Sequence, residues 1–237
     1  MPLTALLDAA AAAHPTRPAL AFLGTRVTWR DLRETVDRFA TALQRLGVRP
    51  GDRVAMVLPT CPQQVIAFLA TLRLGGVVVE QDPLSPEPQL ERQLRDSGAQ
   101  VVVCLDRALA ALQAVVGCGR TDVRHVVVAS LVDYLPPVDK LKLRLPLASA
   151  RRARSAVTVP VPADSGALLF VDILRAARLG AAQAAVGADD PALLQYATGA
   201  RPGREVTLAA WLRTGDVAVI DADGAFSVMD RTTERRR

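Results

Sequence analysis

The sequence predicts an α/β fold in which a parallel sheet is flanked by helices, followed by a small β-rich remnant toward the C-terminus. Two observations predict it. Over the first 130 residues, short Val-rich runs alternate with helix-length amphipathic stretches. Half of the 237 residues are apolar but only 4% are aromatic, so the core has to be built from Ala, Val and Leu, with thin helices packed on Val-rich strands.

Taken in chain order, Thr28 is placed to cap a helix with Asp31 three residues on, and Leu32, Val36, Phe39, Ala40, Leu43 and Leu46 then repeat at helical spacing up to Gly47. After the turn Arg49-Pro50-Gly51-Asp52, residues 54–58 are too short for a helix and rich in branched side chains, which predicts a buried strand. A helix over 62–74 and a strand over 77–79 follow. Ser85-Pro86 opens another helix with Pro at the first helical position, ending near Gly98. Residues 101–105 form a strand, 108–116 a helix and 126–129 a strand. Right-handed crossovers make such a βαβαβαβ series a parallel sheet.

These elements place an α/β N-terminal subdomain at 1–130. Residues 131–165 read as a basic connector, punctuated by Pro136, Pro137, Pro146, Pro160 and Pro162. Residues 166–199 hold a helix over 168–179 and, after Asp189-Asp190-Pro191, a strand over 192–196. Residues 200–237 form the last segment, with a hairpin turning at Asp223-Gly224.

The formal charge of +5 is local. Lys140, Lys142, Arg144, Arg151, Arg152 and Arg154 stand against Asp139 alone, and six minus one accounts for the whole surplus. No aromatic side chains are interleaved among these cations, so a base-stacking platform is lacking and nucleic-acid binding is not expected. Leu141, Leu143, Leu145 and Leu147 alternate with them instead, which suits an anionic membrane surface. Cys61, Cys104 and Cys118 form no C-x-x-C pair, His14 and His125 are isolated, and neither a disulfide framework nor a metal site is expected. The first residues lack a basic region and Asp8 interrupts their apolar stretch, so no secretory leader is expected, and no run reaches a membrane span. The expected location is cytoplasmic, with peripheral membrane contact.

Two motifs carry chemistry. Gln195-Tyr196-Ala197-Thr198-Gly199-Ala200-Arg201-Pro202-Gly203-Arg204 follows the last predicted strand, and Trp211-Leu212-Arg213-Thr214-Gly215-Asp216 leads into Asp221-Ala222-Asp223-Gly224 and then Asp230-Arg231. The first resembles the start of the phosphate loop of adenylate-forming enzymes, where small residues let backbone N–H groups approach the phosphates. Tyr196, Thr198 and Gly199 fit; the paired Thr residues and the Lys of that loop are absent. The second resembles the ribose-binding run of the AMP-forming acyl-CoA synthetases. Val27-Thr28-Trp29-Arg30-Asp31-Leu32, Gly51-Asp52-Arg53-Val54-Ala55 and Leu74-Gly75-Gly76-Val77 resemble the N-terminal part of the same superfamily, of the long-chain fatty-acid CoA ligase type.

The resemblance implies a ligase acting on fatty acid, ATP and CoA with Mg²⁺, passing through an acyl-AMP. It implies that Asp216 accepts hydrogen bonds from both ribose hydroxyls, a task suited to two carboxylate oxygens, and that Arg231 helps hold the same ribose. In such ligases an acyl-binding subdomain lies between the two motifs, where residues 200–210 stand here, and a mobile C-terminal domain supplies a catalytic Lys. The expectation is therefore a truncated homologue with no catalytic residue of its own. It does not complete the reaction alone, and its remaining roles are weak AMP or acyl-adenylate binding, membrane contact, or pairing with a complete ligase subunit. No P-loop, dinucleotide fingerprint or nucleophile elbow is found.

Overall fold

The computed structural model describes residues 3–178, 180, 184 and 190–196, together with the backbone of three strands at 204–207, 216–220 and 226–231. Helix α1 (Leu3–Ala13) is followed by the antiparallel pair β1 (Pro18–Phe22) and β2 (Thr25–Thr28). Their turn has positive φ at both Leu23 (46°) and Gly24 (84°), the hand that matches strand twist.

Helix α2 (Trp29–Arg45) begins as its capping pattern requires. The Thr28 hydroxyl oxygen accepts from the Asp31 N–H at 3.2 Å and donates to Asp31 Oδ2 at 2.7 Å. Leu32, Val36, Phe39, Ala40 and Leu43 are buried along one stripe.

The series β3 (Arg53–Val57), α3 (Pro62–Arg73), β4 (Val77–Glu80), α4 (Glu87–Ser97), β5 (Val101–Leu105), α5 (Leu109–Gly117) and β6 (His125–Ala129) then matches the expected alternation. Strand β3 pairs in parallel with β4 and β5, and β5 with β6. Pro86 precedes α4 as its cap and Glu87 takes the first helical position, because the Pro86 carbonyl accepts the first intrahelical bond from Leu90 N–H. Gly98 ends α4 at φ 62°, a left-handed conformation that needs no Cβ.

The connector holds two short helices, α6 (Pro137–Arg144) and α7 (Ala148–Val157). Pro137 lies at the start of α6, where a missing N–H costs nothing, and Pro146 falls in the turn between the helices. Next come β7 (Leu168–Leu169) and α8 (Phe170–Ala176). The helix expected over 168–179 thus starts two residues late, because Leu168 and Leu169 satisfy the outer edge of β6. Strand β8 (Pro191–Gln195) pairs in parallel with β4, and β9 (Arg204–Thr207) runs antiparallel to β8. Strands β10 (Asp216–Ile220) and β11 (Phe226–Arg231) form a separate antiparallel hairpin.

The large sheet has the order β7-β6-β5-β3-β4-β8-β9. Alternation along the strands divides the core in two. Val54, Met56 and Val78 pack toward α2, α3 and α8 with Phe39, Ile66 and Phe170, whereas Ala55, Val57 and Val79 pack toward α4 and α5 with Leu94 and Leu112. Arg73, with a side chain only 7% exposed, joins three helices through Asp8 at 2.8 Å and Asp37 at 2.9 Å.

Candidate functional site

Strands β3, β4 and β8 are parallel neighbours, so their carboxyl ends open on one edge of the sheet, where α/β folds place ligands. A cleft of about 410 Å³ lies there. Its floor is made by the residues that end or follow those strands: Met56 and Leu58, Glu80 and Gln81, Gln195 and Tyr196.

The described lining is largely polar. Among the described residues, Glu80 and Asp82 line the cleft and no Lys or Arg does. The Gln64 amide N–H donates to Glu80 Oε1 at 3.0 Å, and burial outweighs that bond and pushes the Glu80 carboxyl above the usual carboxylate range. Gln81 is 5% exposed and neither its amide nitrogen nor its amide oxygen has a partner among the described residues. Gln93 is similarly buried with its oxygen unpartnered. Asp82 Oδ1 accepts from Leu84 N–H at 2.8 Å, and among the described residues no group of three His, Cys, Asp or Glu is placed to hold a metal ion.

Tyr196 lies at the cleft, but its hydroxyl is spent on α4, 2.8 Å from Asp96 Oδ2 and 3.1 Å from the Gln93 carbonyl oxygen. Burial, then the hydrogen bond to Asp96, raises its pKa, so it remains a phenol. Thr198 and Gly199 lie outside the described residues. Asp216 and Arg231 belong to described strands, and the hairpin pairs them Cα to Cα; their side chains lie outside the description.

The six cations sit apart from the cleft, on α6 and α7. Lys140 donates to the Asp133 carbonyl at 2.6 Å, Lys142 pairs with Asp139 at 2.8 Å, and Arg154 donates to the Leu143 carbonyl. Arg144, Arg151 and Arg152 are exposed. A second polar group, absent from the sequence reading, closes the ends of β5 and β6. Buried Asp106 accepts from Ser130 Oγ at 3.0 Å, Thr158 Oγ1 at 2.5 Å and Val159 N–H at 3.2 Å. The cleft amides were also missed. Their signal was the polar run Glu80-Gln81-Asp82 directly after an apolar strand.

Residues 7–200, which carry this sheet and the cleft at its carboxyl edge, match a known family model, that of the AMP-binding enzymes. The chain belongs to the AMP-binding enzyme family. It is 38% identical over 134 residues to a long-chain-fatty-acid CoA ligase of Bacillus subtilis (strain 168), covering 56% of this chain and 24% of that relative. The chain thus spans about a quarter of the length of the curated relatives it matches. Among solved structures, an anthranilate CoA ligase in complex with anthranoyl-AMP superposes with a TM-score of 0.68 at 20% identity, over 86% of this chain and 34% of that one. A fatty acyl CoA synthetase of Mycobacterium tuberculosis does so with a TM-score of 0.63 at 22% identity, over 86% and 34%. These superpositions establish the AMP-binding fold: a parallel sheet flanked by helices, as in the N-terminal part of adenylate-forming enzymes.

Proposed function

We propose that the chain is a shortened relative of the fatty-acid CoA ligases, keeping nucleotide-facing elements of the AMP-binding fold without completing acyl-CoA synthesis alone. The observation that carries this reading is the spacing of its two motifs. Only residues 200–210 separate Tyr196-Ala197-Thr198-Gly199 from Trp211 and the Asp216 motif. Eleven residues extend to about 40 Å of single chain, too little to wall a tunnel for an acyl chain. Four of them, in β9, are already paired with β8.

The electrostatics of the cleft point the same way. Charge developing on a transferred phosphoryl group needs a cation beside it, and losing one such stabiliser costs a factor of about 100 to 1,000 in rate. Among the described residues, the charged side chains of the cleft lining are the carboxylates of Glu80 and Asp82. Fatty acid and ATP or AMP are the ligand classes that the relatives suggest, with CoA and Mg²⁺ belonging to the full reaction. The proposed setting is the cytosol with peripheral membrane contact, and a complete ligase subunit is the partner able to supply what the interval omits.

ATP–pyrophosphate exchange over a panel of fatty acids tests the reading. No exchange above a blank is expected. Exchange that disappears in Asp216→Ala would overturn it.

A second reading, a module that binds AMP or acyl-adenylate weakly, is favoured by the pairing of Asp216 with Arg231. Nucleotide titration separates the two readings, since a silent homologue shows no saturable AMP binding.

A further inference from the structure

The two helices of the connector form a surface that the fold leaves uncovered. On α6, Val138 and Leu141 fall at i and i+3, and Leu145, which caps the helix, follows at i+7; they are 63%, 64% and 43% exposed. Apolar residues at this spacing normally face a core. Here the inward positions are taken by others: Lys140 reaches the Asp133 carbonyl and Leu143 is half-buried. Leu147, 54% exposed, continues the apolar patch through the turn at Pro146. Arg144 lies beside the patch, and exposed Arg151 and Arg152 follow on α7.

The hairpin is tied down at its base. Lys140 fixes the start of α6, and Arg154 on α7 donates to the Leu143 carbonyl on α6, so the helices are latched to each other. Arg107, just after β5, donates to the Ala156 carbonyl at 2.6 Å, and Asp106 holds Thr158. Both anchors sit at the carboxyl ends of β5 and β6. The hairpin therefore rises from the same sheet edge as the cleft, about 14 Å away when three strand spacings separate β6 from β4.

We propose that the α6–α7 hairpin is a docking surface for an anionic lipid bilayer, with Val138, Leu141, Leu145 and Leu147 entering the headgroup boundary and Arg144, Arg151 and Arg152 meeting lipid phosphates. Leucines flanked by cations, at a turn held rigid from below, fit an interface that is apolar beneath and anionic above. An anionic protein partner would match the arginines and leave four exposed apolar side chains without a role. Lys140 and Arg154, expected from the sequence to be membrane contacts, are hairpin struts in this arrangement, and Lys142 is paired with Asp139.

Sedimentation of the whole chain with sucrose-loaded vesicles tests this, comparing phosphatidylcholine alone with phosphatidylcholine containing 30% phosphatidylglycerol. Binding is expected to the anionic vesicles only, weakening as salt rises. Replacing Arg144, Arg151 and Arg152 with Gln should lower partitioning by roughly 100-fold, about fivefold for each cation. Replacing the same three with Lys should restore it. Leu141→Ser with Leu147→Ser should reduce binding while keeping its salt dependence. Circular dichroism of each variant reports folding, and Arg92→Gln with Arg95→Gln, remote on α4, serves as the charge control. Equal binding to neutral vesicles, an unchanged triple Gln variant, or an equal loss in the α4 control would each overturn the proposal.

Discussion

Asp216 and Arg231 occupy one rung of the β10–β11 hairpin, as Cα partners at the end away from its turn. Two residues fifteen apart in sequence are thereby fixed at backbone level without any other part of the fold. If they hold one ribose, their effects on AMP affinity are not independent. Asp216→Asn and Arg231→Gln are each expected to weaken AMP binding by about 10- to 100-fold, the range for a charge-assisted hydrogen bond. The double variant should lose little more than either single one. Calorimetric titration decides; unchanged affinity in Asp216→Asn removes the ribose role.

Arg73 joins α3 to α1 and α2 through two carboxylates. Burial raises the Asp37 carboxyl above its ordinary range, against the pull of Arg73 and Arg33. Removing the guanidinium leaves Asp8 and Asp37, with side chains 36% and 28% exposed, without their cation, and Arg73→Ala should cost about 1.5 to 3 kcal/mol in urea unfolding, the range for a charge-assisted hydrogen bond. A loss below about 1 kcal/mol would show that water replaces the guanidinium freely.

The carboxyls of Glu80 and Asp133 are raised, in both cases chiefly by burial. A carboxyl raised in the folded state is favoured when protonated. Its contribution is full below the unfolded value near 4 and is lost as pH rises through the higher folded value. Stability should therefore fall on going from the ordinary carboxylate range toward neutrality. Glu80→Gln should match the parent at low pH and exceed it increasingly as pH rises. Parallel urea midpoints across pH would contradict the burial of Glu80.

Thiol chemistry checks the packing independently. Cys61 and Cys104 are buried and Cys118 is exposed. Burial, followed by the nearby Asp106 charge, pushes the Cys104 thiol up to about 12, and burial raises Cys61 as well. A thiol-specific reagent at pH 8 should add one label to the native chain, at Cys118, and three after denaturation. Rapid native labelling of Cys104 would mean that β5 is not held between its neighbours.

The parallel sheet as far as β6 was legible because its signals are local. Thr28 and Asp31 mark a helix start, Gly98 a helix end, and Val101-Val102-Val103 a strand too short for anything else. Strand β7 was not legible, since Leu168 and Leu169 read as part of an apolar helical stretch until the open edge of β6 claims them. The Asp223-Gly224 pair announces a hairpin in the sequence, but the register shift between Val217 and Ala218, which brings Asp216 opposite Arg231, has no sequence mark. The cleft was hidden for a similar reason. Gln81 is an ordinary polar residue until three strand ends, far apart in the chain, enclose it.

Phe170 shows how far the core reaches beyond the first strands and helices. Its ring stacks on Phe39 with centroids 4.4 Å apart and planes at 25°, and both residues are fully buried. Phe39 belongs to α2 and Phe170 opens α8, on the far side of the basic connector. Arg45 adds a second tie, donating to the Ala176 carbonyl at 2.9 Å. The sequence leads to the expectation that residues 1–130 fold alone, because their sheet and covering helices are complete in themselves. The stack adds a condition to that expectation. In a fragment ending at 130, Phe39 loses its partner ring and β6 loses its outer neighbour, so the fragment should fold with lower stability than one ending at 178. Phe170→Ala in the whole chain should cost about 3 to 5 kcal/mol, the range for truncating a core aromatic. It should also speed proteolytic cleavage within α8 before any within α2, because α8 has few other buried residues to hold it. Equal stability of the two fragments, with Phe170→Ala near neutral, would mean that the ring contributes nothing to the core.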